Sequence, residues 1–176
     1  MNSTHLCFQR PSLIHLDAAI AIHCDPETNR FNPFGTPVPA TVEDNLHKWI
    51  AHWEKNGFGY WAVSLSEHPE SILGFGGITQ TQIGRYEGLN LYFRLAPAAW
   101  GKGIGSGIGN AGLRSAFVDL HAVEVFGLVR PNNLPSRRTL EKVGLRQFDT
   151  SDDVPGASPS LIYRIGLVEY SQQKKQ

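Results

Sequence analysis

Residues 95–112 read L-A-P-A-A-W-G-K-G-I-G-S-G-I-G-N-A-G, a stretch that holds six glycines and follows a run of apolar and aromatic residues. Glycines placed between a strand and a helix let the backbone approach a ligand closely. The first N–H groups of the helix that begins here lack an intrahelical acceptor and lie at the positive end of the helix dipole. The stretch therefore predicts an anion-binding turn, to which Lys102 adds a positive charge and for which a pyrophosphate is a natural ligand.

Two other phosphate-binding motifs fit this stretch less well. A P-loop requires G-x-x-x-x-G-K-[ST], and here the only Gly-Lys pair is followed by Gly103, which argues against a triphosphatase of that type. The dinucleotide pattern G-x-G-x-x-G matches at Gly107, Gly109 and Gly112, but these glycines lie too far beyond the strand end at Leu95 to form the turn that leaves it. A purely structural alternative is that the glycines permit close packing of the helix on the sheet.

A second motif follows in residues 133–145, which read N-L-P-S-R-R-T-L-E-K-V-G-L. Together, residues 95–105 and 133–145 resemble the two signatures of the GNAT superfamily of N-acetyltransferases, x-x-P-x-x-[QR]-G-x-G-x-[GA] and N-x-x-S-x-x-x-L-E-K-x-G-[FL]. Trp100 replaces the usual Gln or Arg, and this aromatic replacement resembles the branch that contains the ribosomal-protein N-terminal (alanine/serine) acetyltransferases. The resemblance covers roughly residues 60–167, and the first 40 residues resemble the family only loosely.

The resemblance implies that acetyl-CoA binds as the cosubstrate. Its pyrophosphate is expected on the backbone N–H groups from Trp100 to Ser106, and its pantetheine beside Phe93 and Leu95, where strand groups pair with its amides. A backbone N–H near Leu95 is expected to stabilise the oxyanion that forms during direct attack by the amine. The residues expected to bind the cofactor are Phe93, Leu95, Trp100, Gly101, Lys102, Gly103, Ile104, Gly105, Ser106 and Asn133.

The resemblance also implies catalytic roles for two polar residues of the second motif. Many relatives place a proton-donating Tyr seven residues after the motif's Asn, but this chain has Leu140 there. Ser136 is therefore the candidate that protonates the leaving CoA sulfur, and Asn133 is expected to hold the cofactor or the acceptor backbone. The alternative for Ser136 is that its hydroxyl satisfies a first-turn N–H of its own helix.

No single residue is predicted as the general base. Relatives that modify protein N-termini often carry a Glu at positions that here hold Leu128 and Asn90. Glu87, His47 and Asp119 remain as candidates, and each is otherwise a solvated surface group. A water chain, or an α-amine with a pKa of about 8, would make a dedicated base unnecessary.

The hydrophobic pattern around the motifs predicts a mixed α+β fold. Helices are predicted after Pro11 and between Thr41 and Gly57, and the proline-rich run at 25–39 is expected to lack regular structure. The later predicted elements are strands at 60–65, 72–78 and 89–95, a helix at 104–120, a strand at 123–129, a helix at 134–143, and strands at 145–148 and 161–167. The resemblance implies a GNAT-like fold with a mostly antiparallel central sheet, a splayed strand pair and helices on both faces.

Composition bounds the remaining possibilities. The length of 176 residues predicts one domain over residues 1–176, with a frayed tail at 171–176. The chain has 16 Lys and Arg residues and 16 Asp and Glu residues, so its formal net charge is zero. Strong sequence-independent binding to nucleic acid is therefore not expected. The chain shows neither a signal-peptide pattern nor a long apolar run, which predicts a cytoplasmic protein without a membrane partner.

No metal site is predicted, because His47 and His52 do not share a helical face as metal ligands four residues apart do. Cys7 and Cys24 are expected as buried free thiols, and the protein as a monomer or homodimer.

The favoured function is direct acetyl transfer from acetyl-CoA to a protein or peptide N-terminal amine. A small amine acceptor (a polyamine, an aminoglycoside or an amino-acid derivative) and a catalytically silent acyl-CoA-binding module are the alternatives.

Overall fold

The computed structural model of the protein describes residues 5–173. This part of the chain forms two compact units, and two strands run through both. The first unit contains the described residues up to Gly77 together with Phe93–Ile108. The second unit contains Ile78–Tyr92 and the described residues from Gly109 onward.

The described residues contain seven strands and six α-helices. The strands are β1 (Leu6–Gln9), β2 (Tyr60–Leu65), β3 (Gly74–Ile83), β4 (Tyr86–Leu95), β5 (Glu124–Val129), β6 (Arg146–Ser151) and β7 (Ser160–Gly166). The α-helices are α1 (Leu16–His23), α2 (Pro26–Asn29), α3 (Pro39–Asn56), α4 (Ile104–Arg114), α5 (Leu134–Lys142) and α6 (Leu167–Gln173). Short 3₁₀ turns at Leu13–His15 and Pro97–Ala99 precede α1 and α4, and a π-helical turn at Ser115–Asp119 extends α4.

The strands form one mostly antiparallel sheet in the order β1-β2-β3-β4-β5-β7-β6. The β4–β5 pair is parallel, with Leu89 beside Val125 and Asn90 beside Phe126. The pairs β1–β2, β2–β3, β5–β7 and β6–β7 are antiparallel. The predicted α+β class with a mostly antiparallel sheet is therefore confirmed.

Two apolar clusters form the core of the first unit. One cluster joins α1 and α3 to the sheet and consists of the buried residues Ala19, Ile22, Val42, Ala62 and Phe75. The other joins the start of α4 to the sheet and consists of Val63, Ala99, Ile104 and Ile108, with Phe93 and Leu95 packed against it. Because Ala62 and Val63 are successive residues of β2, their side chains point to opposite faces of the sheet. Within this unit, helices therefore cover both faces of the sheet.

The second unit is built around β5 and β7. Their antiparallel ladder runs from Glu124, opposite Gly166, to Val129, opposite Leu161. Phe126 and Ile162 on these strands are fully buried with Ile83, and Tyr86 packs against them. At the other side of β7, β6 pairs with an irregularity in its register between Gln147 and Asp149.

Two predictions near the amino terminus are corrected, and one strand there was not predicted. The run at 25–39 is not free of regular structure, because the Asp25 carboxylate accepts hydrogen bonds from the N–H groups of Glu27 and Thr28 and caps α2. α3 begins at Pro39 rather than at Thr41, since proline is favoured in the first turn of a helix. β1 was not predicted, and it exists through its pairing with β2.

The later boundaries differ where strands run further than their apolar residues indicate. β3 extends to Ile83 and β4 begins at Tyr86, so a tight turn at Gly84 joins them. β7 ends at Gly166, and the residues that follow form α6, which includes Ser171–Gln173 of the tail that was expected to fray. The rest of that tail lies outside the described residues.

Candidate active site

The turn between β4 and α4 is held by backbone hydrogen bonds within the first unit. The Ala96 N–H donates to the carbonyl of Leu73 over 2.8 Å, and the Trp100 N–H donates to the carbonyl of Pro97 over 3.1 Å. The N–H of Trp100 is thus used inside the turn, so it is not one of the open donors that the sequence motif suggested. The open part of the turn begins after Trp100.

Gly101 and Gly103 give this turn its shape. Their φ angles are 73° and 78°, in the left-handed region that favours glycine. A Cβ atom built at either position has no described atom within 4 Å, so both glycines face open space. A pyrophosphate approaching the backbone here meets no side chain at these two positions.

The start of α4 supplies the donors for such an anion. The first α-helical hydrogen bond of this helix is donated by the Gly107 N–H to the Gly103 carbonyl, over 3.0 Å. The N–H groups of Ile104, Gly105 and Ser106 therefore lack an intrahelical acceptor. The Ile104 side chain is buried and anchors this end of the helix, whereas Lys102 is exposed beside the turn. These residues fit a pyrophosphate at the positive end of the helix dipole.

Trp100 folds back onto the strand end that precedes the turn. Its indole N–H donates to the carbonyl oxygen of Leu95 over 3.1 Å, and its side chain remains 38% exposed. The guanidinium carbon of Arg30 lies 5.4 Å from the centre of the Trp100 ring and 4.8 Å from the centre of the Phe31 ring. The segment after α2 therefore contacts the candidate cofactor turn through a cation–π interaction.

Arg94 lies between two residues that were predicted to bind the cofactor. Phe93 and Leu95 pack against the start of α4, so the Arg94 side chain lies on the opposite face of β4. Its Nη1 donates to Oδ1 of Asn29 over 2.7 Å. The Nδ2 of the buried Asn29 in turn donates to the carbonyl of His23 over 2.6 Å. The sequence gives no local signal for this contact, because the two residues lie 65 positions apart.

His23, whose carbonyl accepts the hydrogen bond from Asn29, is a buried histidine. Its Nδ1 lies 2.9 Å from the carbonyl oxygen of Ala19, so this nitrogen carries a proton and donates it. The ring packs beside Trp49 and Phe75. Burial lowers the pKa of His23 to about 4, with a smaller contribution from the positive charge of Arg94. The imidazole is therefore neutral near pH 7.

The predicted catalytic residues Asn133 and Ser136 lie at the start of α5 in the second unit. Oδ1 of Asn133 accepts a hydrogen bond from the Ser136 N–H over 3.2 Å, so Asn133 caps the helix. The capping role considered for the Ser136 hydroxyl is thus filled by Asn133. Ser136 is half-buried, and within residues 5–173 its Oγ has no hydrogen-bond partner.

An ion pair holds the loop that leads into this helix. The carbonyl of Arg130 accepts a hydrogen bond from the Asn133 N–H over 3.0 Å. The Arg130 guanidinium donates to Oγ of Ser160 over 2.9 Å and lies 3.5 Å from a carboxylate oxygen of Asp153. Sequence reasoning missed Arg130, since its partners follow in the polar loop before β7 and carry no motif. This network fixes the position of the Asn133 cap.

The candidates for a general base are exposed. His47 lies on the outer face of α3, Glu87 lies on β4, and Asp119 lies 3.6 Å from Arg114. Asn90, which occupies one of the positions where relatives carry a glutamate, has a buried Oδ1 without a hydrogen-bond partner in the described part of the chain. A buried acceptor without a donor is uncommon in folded proteins.

The structure therefore brings the predicted cofactor-binding residues together in the first unit, apart from Asn133, which lies with Ser136 in the second. Cys7 and Cys24 are free thiols, as expected, but they are half-buried rather than buried. Over the described residues, no three or more His, Cys, Asp or Glu side chains are grouped to hold a metal ion. None of the helices in that range is long and apolar enough to cross a membrane.

Comparison with known proteins gives the following similarities. A family model described as "Acetyltransferase (GNAT) domain" matches residues 5–146. A curated relative, the FsC-acetyl coenzyme A-N(2)-transacetylase of Aspergillus fumigatus, is 25% identical over 179 residues, which cover 92% of this chain and 71% of the fungal protein.

Similar solved structures cover nearly the whole chain. An acetyltransferase (GNAT family) of Bacillus anthracis has a TM-score of 0.77 at 17% identity and covers 96% of this chain and 98% of its own. The spermidine N-acetyltransferase of Vibrio cholerae in complex with CoA and spermine has a TM-score of 0.74 at 15% identity, covering 96% and 99%. The ribosomal-protein-S5-alanine acetyltransferase of Vibrio fischeri has a TM-score of 0.70 at 15% identity, covering 97% of each chain. At these identities the likeness shows the fold alone.

Proposed function

Because the chain belongs to the GNAT acetyltransferase family, we propose that it transfers an acetyl group from acetyl-CoA to a primary amine. The observation that carries this proposal is the open turn at Gly101 and Gly103, followed by the first N–H groups of α4. This combination fits a pyrophosphate, which is the charged linkage of CoA. The turn lies inside the segment that the family model matches, so the geometry of the turn and the family match agree on the same residues.

The proposed cofactor site uses mainly backbone groups. The N–H groups of Ile104, Gly105 and Ser106 would bind the pyrophosphate, and the open turn at Gly101–Gly103, with the exposed Lys102, would border it. Phe93 and Leu95 would offer backbone groups of β4 to the pantetheine. Acetyl-CoA supplies the activated acetyl group as a thioester. Trp100 would keep the turn in shape through its hydrogen bond to Leu95.

Ser136 is the proposed proton donor. Its Oγ has no hydrogen-bond partner in the described chain, and it is half-buried at the start of α5. The hydroxyl would donate its proton to the CoA sulfur and regain one from solvent water, while Asn133 would hold the helix terminus that carries it. We propose no dedicated base, since the carboxylate and imidazole candidates are exposed. Solvent water would instead take the proton that the amine loses when its nitrogen bonds to the acetyl carbon.

Two acceptor classes remain as proposals. A protein or peptide N-terminal amine is supported by the aromatic Trp100 in the signature and by one structural neighbour, the ribosomal-protein-S5-alanine acetyltransferase. A small amine is supported by the fungal relative, whose name specifies transfer to an N(2) atom, and by the spermidine N-acetyltransferase.

The single-domain organisation over residues 1–176 is part of the proposal, supported by a family model that runs through both units. The cytoplasmic location and the monomeric or dimeric state stay predictions.

Thermal unfolding with acetyl-CoA, free CoA and NADH in parallel tests the proposed cofactor. A ligand at a hundred times its dissociation constant adds about 2.7 kcal/mol, which raises the midpoint by roughly 5 to 10 °C for a chain of this size. We expect a shift with both CoA species and none with NADH. The absence of a shift with acetyl-CoA and CoA would refute the cofactor site.

Turnover is tested separately from binding. Release of CoA in the presence of peptide and small-molecule amines, detected with a thiol reagent, is expected to exceed the background hydrolysis of acetyl-CoA. Binding of acetyl-CoA without CoA release for any amine would instead favour a catalytically silent acyl-CoA-binding module.

A further inference from the structure

Arg94 is a half-buried cation whose hydrogen bond goes to a neutral group. Its Nη1 donates to the amide oxygen of Asn29 over 2.7 Å. Within residues 5–173, no carboxylate lies within salt-bridge distance of its guanidinium. Removing a charge from water is costly unless an opposite charge or a full set of hydrogen bonds compensates. The guanidinium therefore keeps N–H donors that an anion can accept.

The carboxylates nearest in sequence to Asn29 are used elsewhere. Oδ1 of Asp25 accepts the N–H of Glu27 over 2.7 Å and caps α2. The Glu27 carboxylate lies 3.8 Å from the guanidinium of Arg30. His23, whose carbonyl accepts a hydrogen bond from Asn29, has a neutral ring near pH 7 and carries no compensating charge. The positive charge of Arg94 thus lacks a partner on the segment that it contacts.

The direction of Arg94 separates it from the proposed pyrophosphate site. Phe93 and Leu95 pack against the cluster that contains the start of α4, whose N–H groups are proposed to bind the pyrophosphate. Arg94 alternates with them along β4 and contacts Asn29 on the other face of the strand. The anion that Arg94 meets is therefore not the pyrophosphate bound at the start of α4.

We propose that Arg94 binds a carboxylate of the amine acceptor, so that the substrate is a primary amine with an acid group, such as an amino acid or an acidic amino-acid derivative. This inference rests on the proposed acetyltransferase function. The planar guanidinium matches a carboxylate with two parallel hydrogen bonds, and Asn29 fixes its orientation through Nη1. A polyamine meets a positive charge at the same place and is disfavoured by repulsion.

Paired acceptors test the preference directly. L-alanine is compared with L-alaninamide, and γ-aminobutyrate with putrescine and spermidine, by the rate of CoA release at saturating acetyl-CoA. We expect the carboxylate-bearing member of each pair to have a kcat/KM higher by about 10- to 100-fold, as one charged hydrogen-bonded pair gives. Equal use of the paired acceptors, or preference for the amide or the polyamine, would overturn the proposal.

Variants connect this preference to the residue. Arg94→Gln is expected to raise the acceptor KM by about 10- to 100-fold and to abolish the preference for the carboxylate. Arg94→Lys keeps the charge and is expected to restore part of the preference. Arg10→Gln, which removes an exposed guanidinium stacked on Trp53 in the same unit, serves as the matched control and leaves the acceptor KM unchanged. A preference that persists in Arg94→Gln would refute the assignment.

Binding of acetyl-CoA distinguishes the remaining outcomes. Arg94→Gln is expected to bind acetyl-CoA in calorimetry as tightly as the unmodified protein does, which also shows that the variant is folded. Weaker acetyl-CoA binding in a folded variant would mean that Arg94 contacts a cofactor phosphate, and the acceptor assignment would be wrong. Failure of the unmodified protein to bind acetyl-CoA would refute the proposed function itself.

Discussion

The indole N–H of Trp100 donates to the carbonyl oxygen of Leu95 over 3.1 Å. The bond links the first residue after the Pro97–Ala99 turn to the last residue of β4, so it closes the loop that leads to α4. The family signature usually has Gln or Arg at position 100. Here the Trp100 side chain instead donates a hydrogen bond to the backbone of the same loop. The bond therefore stabilises the turn that we propose as the pyrophosphate site.

Trp100→Phe tests this relationship. The phenyl ring keeps the aromatic contact with Arg30 but removes the donor to Leu95. We expect the dissociation constant of acetyl-CoA to rise about 5- to 10-fold, because a hydrogen bond stabilises the binding conformation of the turn by about 1 kcal/mol. Calorimetric titration measures the change.

Trp53→Phe is the matched control for that substitution. The Trp53 indole donates to the carbonyl of Tyr60 over 2.7 Å in the same unit, so its replacement removes an equivalent bond away from the turn. The control is expected to lower stability while acetyl-CoA affinity stays the same. Equal loss of affinity in both variants would show that the effect of Trp100→Phe is only global.

Gly103→Ala is expected to weaken acetyl-CoA binding by at least about 10-fold. The residue has a φ of 78°, so alanine adds about 1–2 kcal/mol of backbone strain and places a methyl group on the open surface of the turn. Gly35→Ala is the control, because Gly35 has a φ of 76° and also has no described atom within 4 Å of its Cβ position. Both variants should lose similar stability in urea, and only Gly103→Ala should lose affinity. Unchanged affinity in Gly103→Ala would remove this turn from the cofactor site.

The sequence predicts best those parts of the site that are local in the chain. The signature that contains Gly101 and Gly103 predicts a turn followed by a helix, and α4 begins at Ile104 as the pattern indicates. The second motif predicts α5 within one residue, because its capping Asn133 and its apolar spacing are both encoded within that stretch. Glycine conformation, caps and periodicity act over a few residues, so they can be recognised without the tertiary structure.

What the sequence does not predict depends on distant partners. β1 is only four residues long and exists as a strand because it pairs with β2, as in Leu6 opposite Leu65. The contact of Arg94 with Asn29 and the ion pair of Arg130 with Asp153 join residues of different elements. No local pattern encodes such contacts, since they follow from how the chain folds back on itself.

Ser136→Ala tests the proposed proton donor. We expect kcat to fall by about 100-fold, at the lower end of the range for general acid catalysis, with the KM for acetyl-CoA unchanged. Thr139→Ala, on the same helix, removes a hydroxyl that donates to the carbonyl of Pro135 over 3.0 Å and is expected to leave kcat unchanged. Steady-state kinetics with a slow and a fast acceptor measures both values. An undiminished kcat in Ser136→Ala would exclude this hydroxyl from the reaction.

His23 gives the fold a defined dependence on pH. Burial lowers its pKa from 6.5 to about 4, so the unfolded chain binds more protons than the folded chain between these two values. The stability that comes from keeping this ring neutral is fully present above pH 6.5 and is lost as the pH falls toward 4. The pKa of the buried His15 is lowered as well, which acts in the same direction. The free energy of unfolding should therefore decrease on mild acidification.

Urea unfolding at about pH 7.5 and about pH 5 measures this contribution. For His23 alone we expect the free energy of unfolding to fall by about 2 kcal/mol between the two conditions. His23→Gln keeps an N–H donor for the Ala19 carbonyl but cannot be protonated, so its stability should depend less on pH. His47→Gln, which changes an exposed histidine of α3, should retain the full dependence. If His23→Gln and the unmodified protein lose equal stability at about pH 5, the dependence arises from other groups, such as His15.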